Sequence, residues 1–248
     1  ALDADTGKEI WHHDPKVQAN NTYPRCRGVG YYDATPEQAA TVTAAGPQAC
    51  ARRIIATTVD ARLVAVDART GQACTDFGDH GSVSLWDNQK TGEPSGVVRA
   101  FNARTGQLAW AWDLGNPAIT REPPEGQTYT PGTPNVWSTP AFDDALGLIY
   151  LPTGNATPDF WGGHRTEADD RYSSSIVALD IATGRERWRF QTVHHDLWDY
   201  DVPSQPALYD VPDGHGGMLP ALIQTTKRGQ IFMLDRRTGT PIAQVEER

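Results

Sequence analysis

The chain has 248 residues, with 22 Lys and Arg against 31 Asp and Glu for a net charge of −9; a nucleic-acid partner would call for a basic footprint instead. Its 38% hydrophobic content, with eight Trp, can build a core, and 23 Gly with 18 Pro make it turn-rich without the composition of a disordered chain. No apolar run approaches the roughly 18 residues of a membrane span. The longest, around Ala145–Leu151, suits a buried strand.

The length fits one or two domains, or one large all-β domain. The chain starts at Ala1-Leu2-Asp3 and stops at Glu246-Glu247-Arg248, soon after a strand-turn pattern, so a fragment of a longer protein is expected. Three cysteines, Cys26, Cys50 and Cys74, lack the C-x-x-C spacing of a zinc or redox site. At most one internal disulfide can form. Cys50 with Cys74 is the expected pair, and three free buried thiols is the alternative.

One pattern organises the chain: a short apolar strand, Asp or Asn, two residues, Thr-Gly, then usually an aromatic. It begins at Leu2-Asp3-Ala4-Asp5-Thr6-Gly7 with Trp11. It returns at Val66-Asp67-Ala68-Arg69-Thr70-Gly71, and at Phe101-Asn102-Ala103-Arg104-Thr105-Gly106 with Trp110. A fourth copy is Leu179-Asp180-Ile181-Ala182-Thr183-Gly184 with Trp188, and a fifth is Leu234-Asp235-Arg236-Arg237-Thr238-Gly239. The Asp side chain can accept backbone N–H groups two residues on, and Gly takes the positive φ that strains other residues. The Trp on the outgoing strand can wedge between neighbouring sheets.

The turn glycines are 64, 35, 78 and 55 residues apart. Propeller blades need about 40–50 residues, more with long loops. A gap of 78 implies one long-loop blade, and 35 is short by several residues. No long stretch has helical period apart from a short turn near 36–45. The fold expected is an all-β propeller with about four blades present, and unrelated hairpins in a sandwich are the lesser alternative.

Other chemistries lack their signatures. Adjacent His194 and His195, taken as strand residues, point to opposite faces and suit a zinc ion poorly. The chain has no H-E-x-x-H, no G-x-S-x-G, and no G-x-G-x-x-G after a strand.

The Asp-x-x-Thr-Gly-x-x-x-Trp repeat resembles the tryptophan-docking motif of pyrroloquinoline quinone (PQQ) dehydrogenases. Three further segments sharpen the resemblance: Cys26-Arg27-Gly28-Val29-Gly30-Tyr31, Pro158-Asp159-Phe160-Trp161-Gly162-Gly163, and His194-His195-Asp196-Leu197-Trp198-Asp199-Tyr200-Asp201. Together they are similar to the membrane-bound glucose and quinate dehydrogenases of that family, over nearly the whole chain. The resemblance implies an eight-bladed propeller with PQQ and Ca²⁺ or Mg²⁺ on its axis, of which residues 1–248 form part. It implies a periplasmic location, with an N-terminal membrane anchor and C-terminal blades outside this chain. It implies oxidation of an aldose, glucose above all, to a lactone, with electrons passed to ubiquinone. Quinate, shikimate or an alcohol is the alternative substrate. A non-catalytic propeller scaffold, of the outer-membrane assembly type, has similar repeats but would lose the axial residues.

The same resemblance assigns roles. Asp199 is the base that takes the hydroxyl proton as the hydride leaves; by residue type alone, Asp196 and Asp201 serve as well. Lys227 faces the reactive quinone oxygen, where a cation stabilises negative charge, and Trp137 offers the ring an aromatic platform. Arg27 binds a PQQ carboxylate through its planar guanidinium. Asp87 and Asn88 stand at the family's metal position, joined by Asn155 or by Thr157 two residues on; oxygen donors of this kind suit a hard divalent cation.

This chain departs from the family in two places. Between Leu85 and Asp87 the family carries a further stretch, including a strand, that is missing here and accounts for the gap of 35; its loss would displace Asp87. Tyr23-Pro24-Arg25 also stands where glucose dehydrogenases often have a His before Cys-Arg-Gly.

Overall fold

A computed structural model of the chain describes residues 1–17, 28–34, 49–86 and 94–246. The expected turn near 36–45, and Cys26, Arg27, Asp87 and Asn88, lie outside these described residues. The chain groups into two compact units, Ala1–Asp87 with Phe101–Leu108, and Asn88–Ala100 with Ala109–Arg248.

In the first unit, four strands form an antiparallel meander: β1 (Gly30–Asp33), β2 (Arg52–Thr57), β3 (Arg62–Asp67) and β4 (Ser82–Ser84), paired in that order. A bridge between Leu2 and Glu9 closes a separate small hairpin. Beneath the meander, Cys50, Ala65, Cys74 and Phe77 make a buried cluster. Cys50 and Cys74 are joined in the expected disulfide. Arg53 is buried and donates to Cys50 O, Arg104 O and Asp76 Oδ2.

The hairpin of β5 (Val98–Phe101) and β6 (Leu108–Trp112) follows, its turn grouping with the first unit. The second unit holds another four-stranded meander, β7 (Ala141–Asp143), β8 (Leu148–Pro152), β9 (Ser175–Asp180) and β10 (Glu186–Gln191). It also holds a three-stranded sheet of β11 (Ala207–Pro212), β12 (Met218–Thr225) and β13 (Ile231–Asp235). The apolar run near 145–151 becomes β8, where Leu148, Tyr150 and Leu151 are buried. On β9, Ile176 and Ala178 pack with Trp188, Leu222 and Leu234, while Val177 and Leu179 pack with Trp110, Trp112 and Leu151. Side chains alternate across a strand, so this sheet is covered on both faces, as a blade within a propeller must be.

These open antiparallel meanders are blades of a β-propeller. Two have four strands; the other sheets have three and two strands, so the roughly four blades expected are present unequally. No helix among the described residues is long and apolar enough to cross a membrane. One short helix was not anticipated: α1 (Glu167–Tyr172), started by a capping box in which Thr166 and Asp169 bond each other's backbone N–H.

The Thr-Gly turns have the expected geometry in all five copies. The Asp or Asn backbone carbonyl accepts the glycine N–H at 2.8–2.9 Å, and the glycine φ lies between +68° and +74°. Side-chain oxygens of Asp67, Asn102 and Asp235 also accept the N–H two residues on, at 2.9 Å each.

Tryptophan docking repeats three times. The indole N–H of Trp11 donates to Ala68 O, that of Trp110 to Ile181 O, and that of Trp188 to Arg236 O. Each acceptor is the residue after the turn Asp. A Cβ added to Gly71, Gly184 or Gly239 would lie 2.5 Å from Cε3 of the docked ring, so glycine serves both the turn and the close approach. Burying a Trp removes about 200 Å² from water, worth at most roughly 5 kcal/mol. The Val64–Gly71 copy carries no Trp. There the disulfide and Phe77 fill the interior, and Val83 approaches Gly106 in place of a ring.

Candidate active site

Among the described residues, five of the expected site residues lie in the second unit, and four of them converge. Trp137 lies just before β7, and Asn155 and Thr157 just after β8. Asp199 lies on the loop before β11, and Lys227 in the turn between β12 and β13. Strand pairing sets Trp137 beside Asn155, where Ala141 on β7 faces Tyr150 on β8, and the connection before β11 beside Lys227, where Ala207 faces Ile223 and Thr225 faces Ile231; Asp201 bonds to both Asn155 and Lys227 and joins the two sheets.

Lys227 is the hub. Its ammonium donates to Asp199 O at 2.8 Å, Asp199 Oδ2 at 3.0 Å and Asp201 Oδ2 at 2.7 Å. All three N–H groups are used. The same nitrogen lies 5.8 Å from the centre of the Trp137 ring, within cation–π range. The Lys227 side chain is 30% exposed, Asp199 37% and Asp201 11%, which places Asp201 at the floor and Asp199 toward solvent.

Asp201 is tied from below, where its Oδ1 accepts Asn155 N at 2.6 Å. Burial raises its pKa above the usual carboxylate range and the Asp199 charge adds to this, while the bonds from Lys227 and Asn155 N oppose it. Burial works against the Lys227 ammonium, but its bonds to Asp201 and Asp199 prevail and raise its pKa. Asp159 is held above the ordinary range by desolvation and then by the nearby Asp199. Gly154 fits between these groups: a Cβ there would lie 2.9 Å from Asp201 Oδ1 and 3.2 Å from Trp137 Cδ1.

Asn155 is buried, and its Oδ1 accepts Ala156 N at 2.9 Å and Arg165 Nη1 at 2.7 Å. Both lone pairs of this oxygen are engaged, so ligation of a cation requires one of the two bonds to be given up. Thr157 is exposed beside it. Arg165 also reaches Ser173 Oγ, Pro158 O and Asp196 O, pinning the 155–165 loop to the one that carries Asp199. The structure therefore brings together Trp137, Asn155, Asp199 and Lys227. Asp201, named only as an alternative base, joins them, as do Asp159, Gly154 and Arg165, for which no role was expected. The signal available for Asp201 was its place two residues beyond Asp199; for Arg165 the sequence offered none.

The histidine pair corrects one expectation. His194 and His195 follow β10 in a loop, not a strand; His195 has φ +49 and Nδ1 lies 2.9 Å from Asp170 Oδ1. Cys50, Cys74 and Asp76 form a ligand-like cluster among the described residues, but the disulfide consumes both sulfurs.

The residues present fit a flat anionic quinone with a divalent cation. They offer an ammonium, an indole face, and carboxylate and amide oxygens. The buried Thr226 Oγ1, beside Lys227, has no hydrogen-bond partner among the described residues.

Propeller blades whose loops carry a Lys-bridged carboxylate pair over an indole define a class, and comparison with known proteins gives the same answer. The family model described as "PQQ: Glucose/ethanol/alcohol dehydrogenase, beta-propeller domain" matches residues 1–88 and 84–248. The chain belongs to this family of quinoprotein dehydrogenases. It is 41% identical to quinoprotein glucose dehydrogenase A of Acinetobacter calcoaceticus, over all of this chain and 36% of that protein. It is likewise 41% identical to the glycerol dehydrogenase large subunit of Gluconobacter oxydans, covering all of this chain and 37% of that one. The quinate/shikimate dehydrogenase (quinone) of Acinetobacter baylyi is 39% identical, with 35% of its length covered. Among solved structures, quinohemoprotein alcohol dehydrogenase from Comamonas testosteroni superposes with a TM-score of 0.72 at 25% identity, over 98% of this chain and 39% of that one. The chain thus spans about a third of the length of the curated relatives it matches. The family match breaks at 84–88, and the first of these alignments spans 285 residues against 248 here. The break falls where the resemblance places the missing stretch before Asp87.

Proposed function

We propose that this chain is part of a single PQQ-binding propeller domain, spanning residues 1–248, in a periplasmic enzyme that oxidises an aldose. Glucose is the substrate favoured and gluconolactone the product, with ubiquinone taking the electrons. The observation that carries the reading is the Lys227 ammonium bridging Asp199 and Asp201 over Trp137.

The chemistry of each residue follows from its place. Asp199, the more exposed carboxylate, takes the proton from the substrate hydroxyl. Protonation weakens its bond to Lys227 and frees an N–H, which can then stabilise negative charge developing on a ligand oxygen. Asp201 keeps the ammonium in place from the buried side. Trp137 supplies a flat face for an aromatic ligand. When bound, PQQ supplies the two-electron acceptor and its divalent cation Lewis acidity. Asp87 and Asn88, with Asn155 or Thr157, are the proposed cation ligands, and Arg27 the proposed partner of a PQQ carboxylate.

A second reading, oxidation of a polyol such as glycerol or quinate, is supported by the glycerol dehydrogenase relative, as similar to this chain as the glucose enzyme. The test is dye-linked dehydrogenase activity of the full-length protein with PQQ and Ca²⁺ on glucose, glycerol and quinate. PQQ-dependent turnover of glucose above the others is expected. Preference for a polyol would replace the first reading with the second. No turnover on any, with no quenching of Trp fluorescence by PQQ, would leave a scaffold.

A further inference from the structure

The segment His195-Asp196-Leu197-Trp198-Asp199-Tyr200-Asp201 spaces three carboxylates closely, and the structure gives each a different surrounding. Asp199 itself stands at φ +62. A residue with a Cβ adopts that region only where its surroundings impose it.

Asp196 supplies that constraint. It is 1% exposed. Its Oδ1 accepts the N–H of Trp198 at 2.9 Å, and its Oδ2 accepts the N–H of Tyr200 at 2.8 Å. These amides belong to the residues on either side of Asp199: Tyr200 N lies in the peptide directly after Asp199 and Trp198 N in the peptide before Trp198, so one buried carboxylate spans and pins the turn that contains Asp199. Ser174 Oγ donates to Asp196 Oδ2 at 2.5 Å, and Arg165 Nη2 donates to Asp196 O at 3.1 Å. Both groups reach Asp196 from outside its loop. Beyond Asp199 the chain is held again, by Asn155 N on Asp201 Oδ1 and by Val202 N on Thr153 O.

We propose that Asp196, held by Ser174, is a positioning residue for the reaction: it fixes the left-handed backbone at Asp199 and so aims that carboxylate at Lys227 and the substrate hydroxyl. This rests on the reading of Asp199 as the proton acceptor. Asp196 touches neither substrate nor cofactor in this account. Its contribution is orientation, and a misplacement of about 1 Å at a reacting group can cost on the order of 100-fold in rate.

The test uses the full-length enzyme loaded with PQQ and Ca²⁺ and compares D196N, S174A and D199N. Asn at 196 keeps one acceptor oxygen but cannot serve both flanking amides together with Ser174. Steady-state kinetics on the preferred substrate, PQQ affinity from Trp fluorescence quenching, and thermal melting are read for each. The expected pattern is a fall in kcat of about 100-fold for D196N and about tenfold for S174A. KM and PQQ affinity should stay within about twofold of wild type, because nothing that contacts either ligand is removed. S174A, the milder change, keeps the proposal testable if D196N folds poorly. Wild-type kcat in both, with D199N inactive, would overturn the proposal while leaving the reading of Asp199 intact. Parallel losses of kcat, PQQ affinity and melting temperature in S174A would also overturn it, since they mark general disruption. Full turnover in D199N would sink the reading of Asp199, and the proposal with it.

Discussion

Replacing Gly184 by Ala tests the tryptophan docking that holds the sheets of the second unit. Gly184 has φ +70, and an added Cβ would lie 2.5 Å from Cε3, 2.6 Å from Cδ2 and 3.0 Å from Cγ of Trp110. The left-handed backbone costs an alanine about 1–2 kcal/mol, less the roughly 0.4–1 kcal/mol gained by restricting the unfolded chain. The collision is separate. Trp110 is buried and held through its indole N–H to Ile181 O at 2.7 Å, so it cannot swing away without losing that bond. Forcing a methyl into such a contact costs about 1–3 kcal/mol. The expected loss is therefore about 2–4 kcal/mol. Gly147 is the matched control: its φ is +63 and nothing lies within 4 Å of an added Cβ, so only about 1 kcal/mol is expected there. At roughly 2–4 °C per kcal/mol, Gly184→Ala should melt about 4–16 °C lower and Gly147→Ala about 2–4 °C lower. Urea denaturation and thermal melts followed by circular dichroism give both values. In a Trp110→Ala background the Gly184→Ala loss should shrink to the Gly147→Ala value. Equal losses at the two glycines in the presence of Trp110 would refute the docking geometry.

Three further outcomes are expected. Cys50→Ala/Cys74→Ala should destabilise the protein by about 3 kcal/mol, from loop entropy over a separation of 24 residues, and thiol labelling of the denatured, unreduced wild type should mark Cys26 but neither Cys50 nor Cys74. Lys227 has its pKa raised above 10.5 by Asp201 and Asp199 against the opposing effect of burial. Its stabilisation is complete below pH 10.5 and is lost as pH climbs through the raised value. The stability gap between wild type and Lys227→Met, open at neutral pH, should therefore close above pH 10.5, as pH-dependent melts would record; a gap constant with pH would count against the ion pairs. Asp87→Ala should weaken PQQ binding in a way that excess Ca²⁺ partly restores, and an unchanged Ca²⁺ titration would clear Asp87 of metal ligation.

Local rules made much of this fold legible. The Asp-to-Gly turns, the positive φ at their glycines and the buried β8 all depend on residues close in sequence, whereas the expected Cys50–Cys74 pair was one of three that three cysteines allow. The Trp contacts were legible in kind, because an aromatic after a glycine turn must bury its ring somewhere, but the glycine each would meet lay 51 to 74 residues away. Helix α1 was hidden by its length: six residues make under two turns and show no period, and only Thr166 with Asp169 marks its start. The His194–His195 reading failed because the strand pattern ends at Gln191. At the site, resemblance selected Asp199 and Lys227, while their hydrogen bonds could not be read from spacing. Arg165 was invisible for the same reason, since its partners lie on three separate stretches of chain, at 155–158, 173 and 196.

The placement of the site follows from the meander itself. In the β7–β10 sheet the pairing of Pro152 with Ile176, and of Ser175 with Gln191, puts the end of β8, the start of β9 and the end of β10 at one edge. The Thr-Gly turn from Asp180 to Gly184 closes the opposite edge. The next sheet repeats this, with Thr225 and Ile231 at one end and the turn from Asp235 to Gly239 at the other. Trp137, Asn155, Asp199 and Lys227 all come from connections at the edge away from the Thr-Gly turns. The two ends thus have separate tasks. One repeats a rigid turn that docks tryptophans and fixes how sheets stack, so its sequence is nearly invariant within this chain. The other is free to vary in length and chemistry, and it holds the long 192–206 connection, the Arg165 loop and the Lys227 turn. That division explains why the repeat alone announces the architecture, while the chemistry resides in segments that share no repeat.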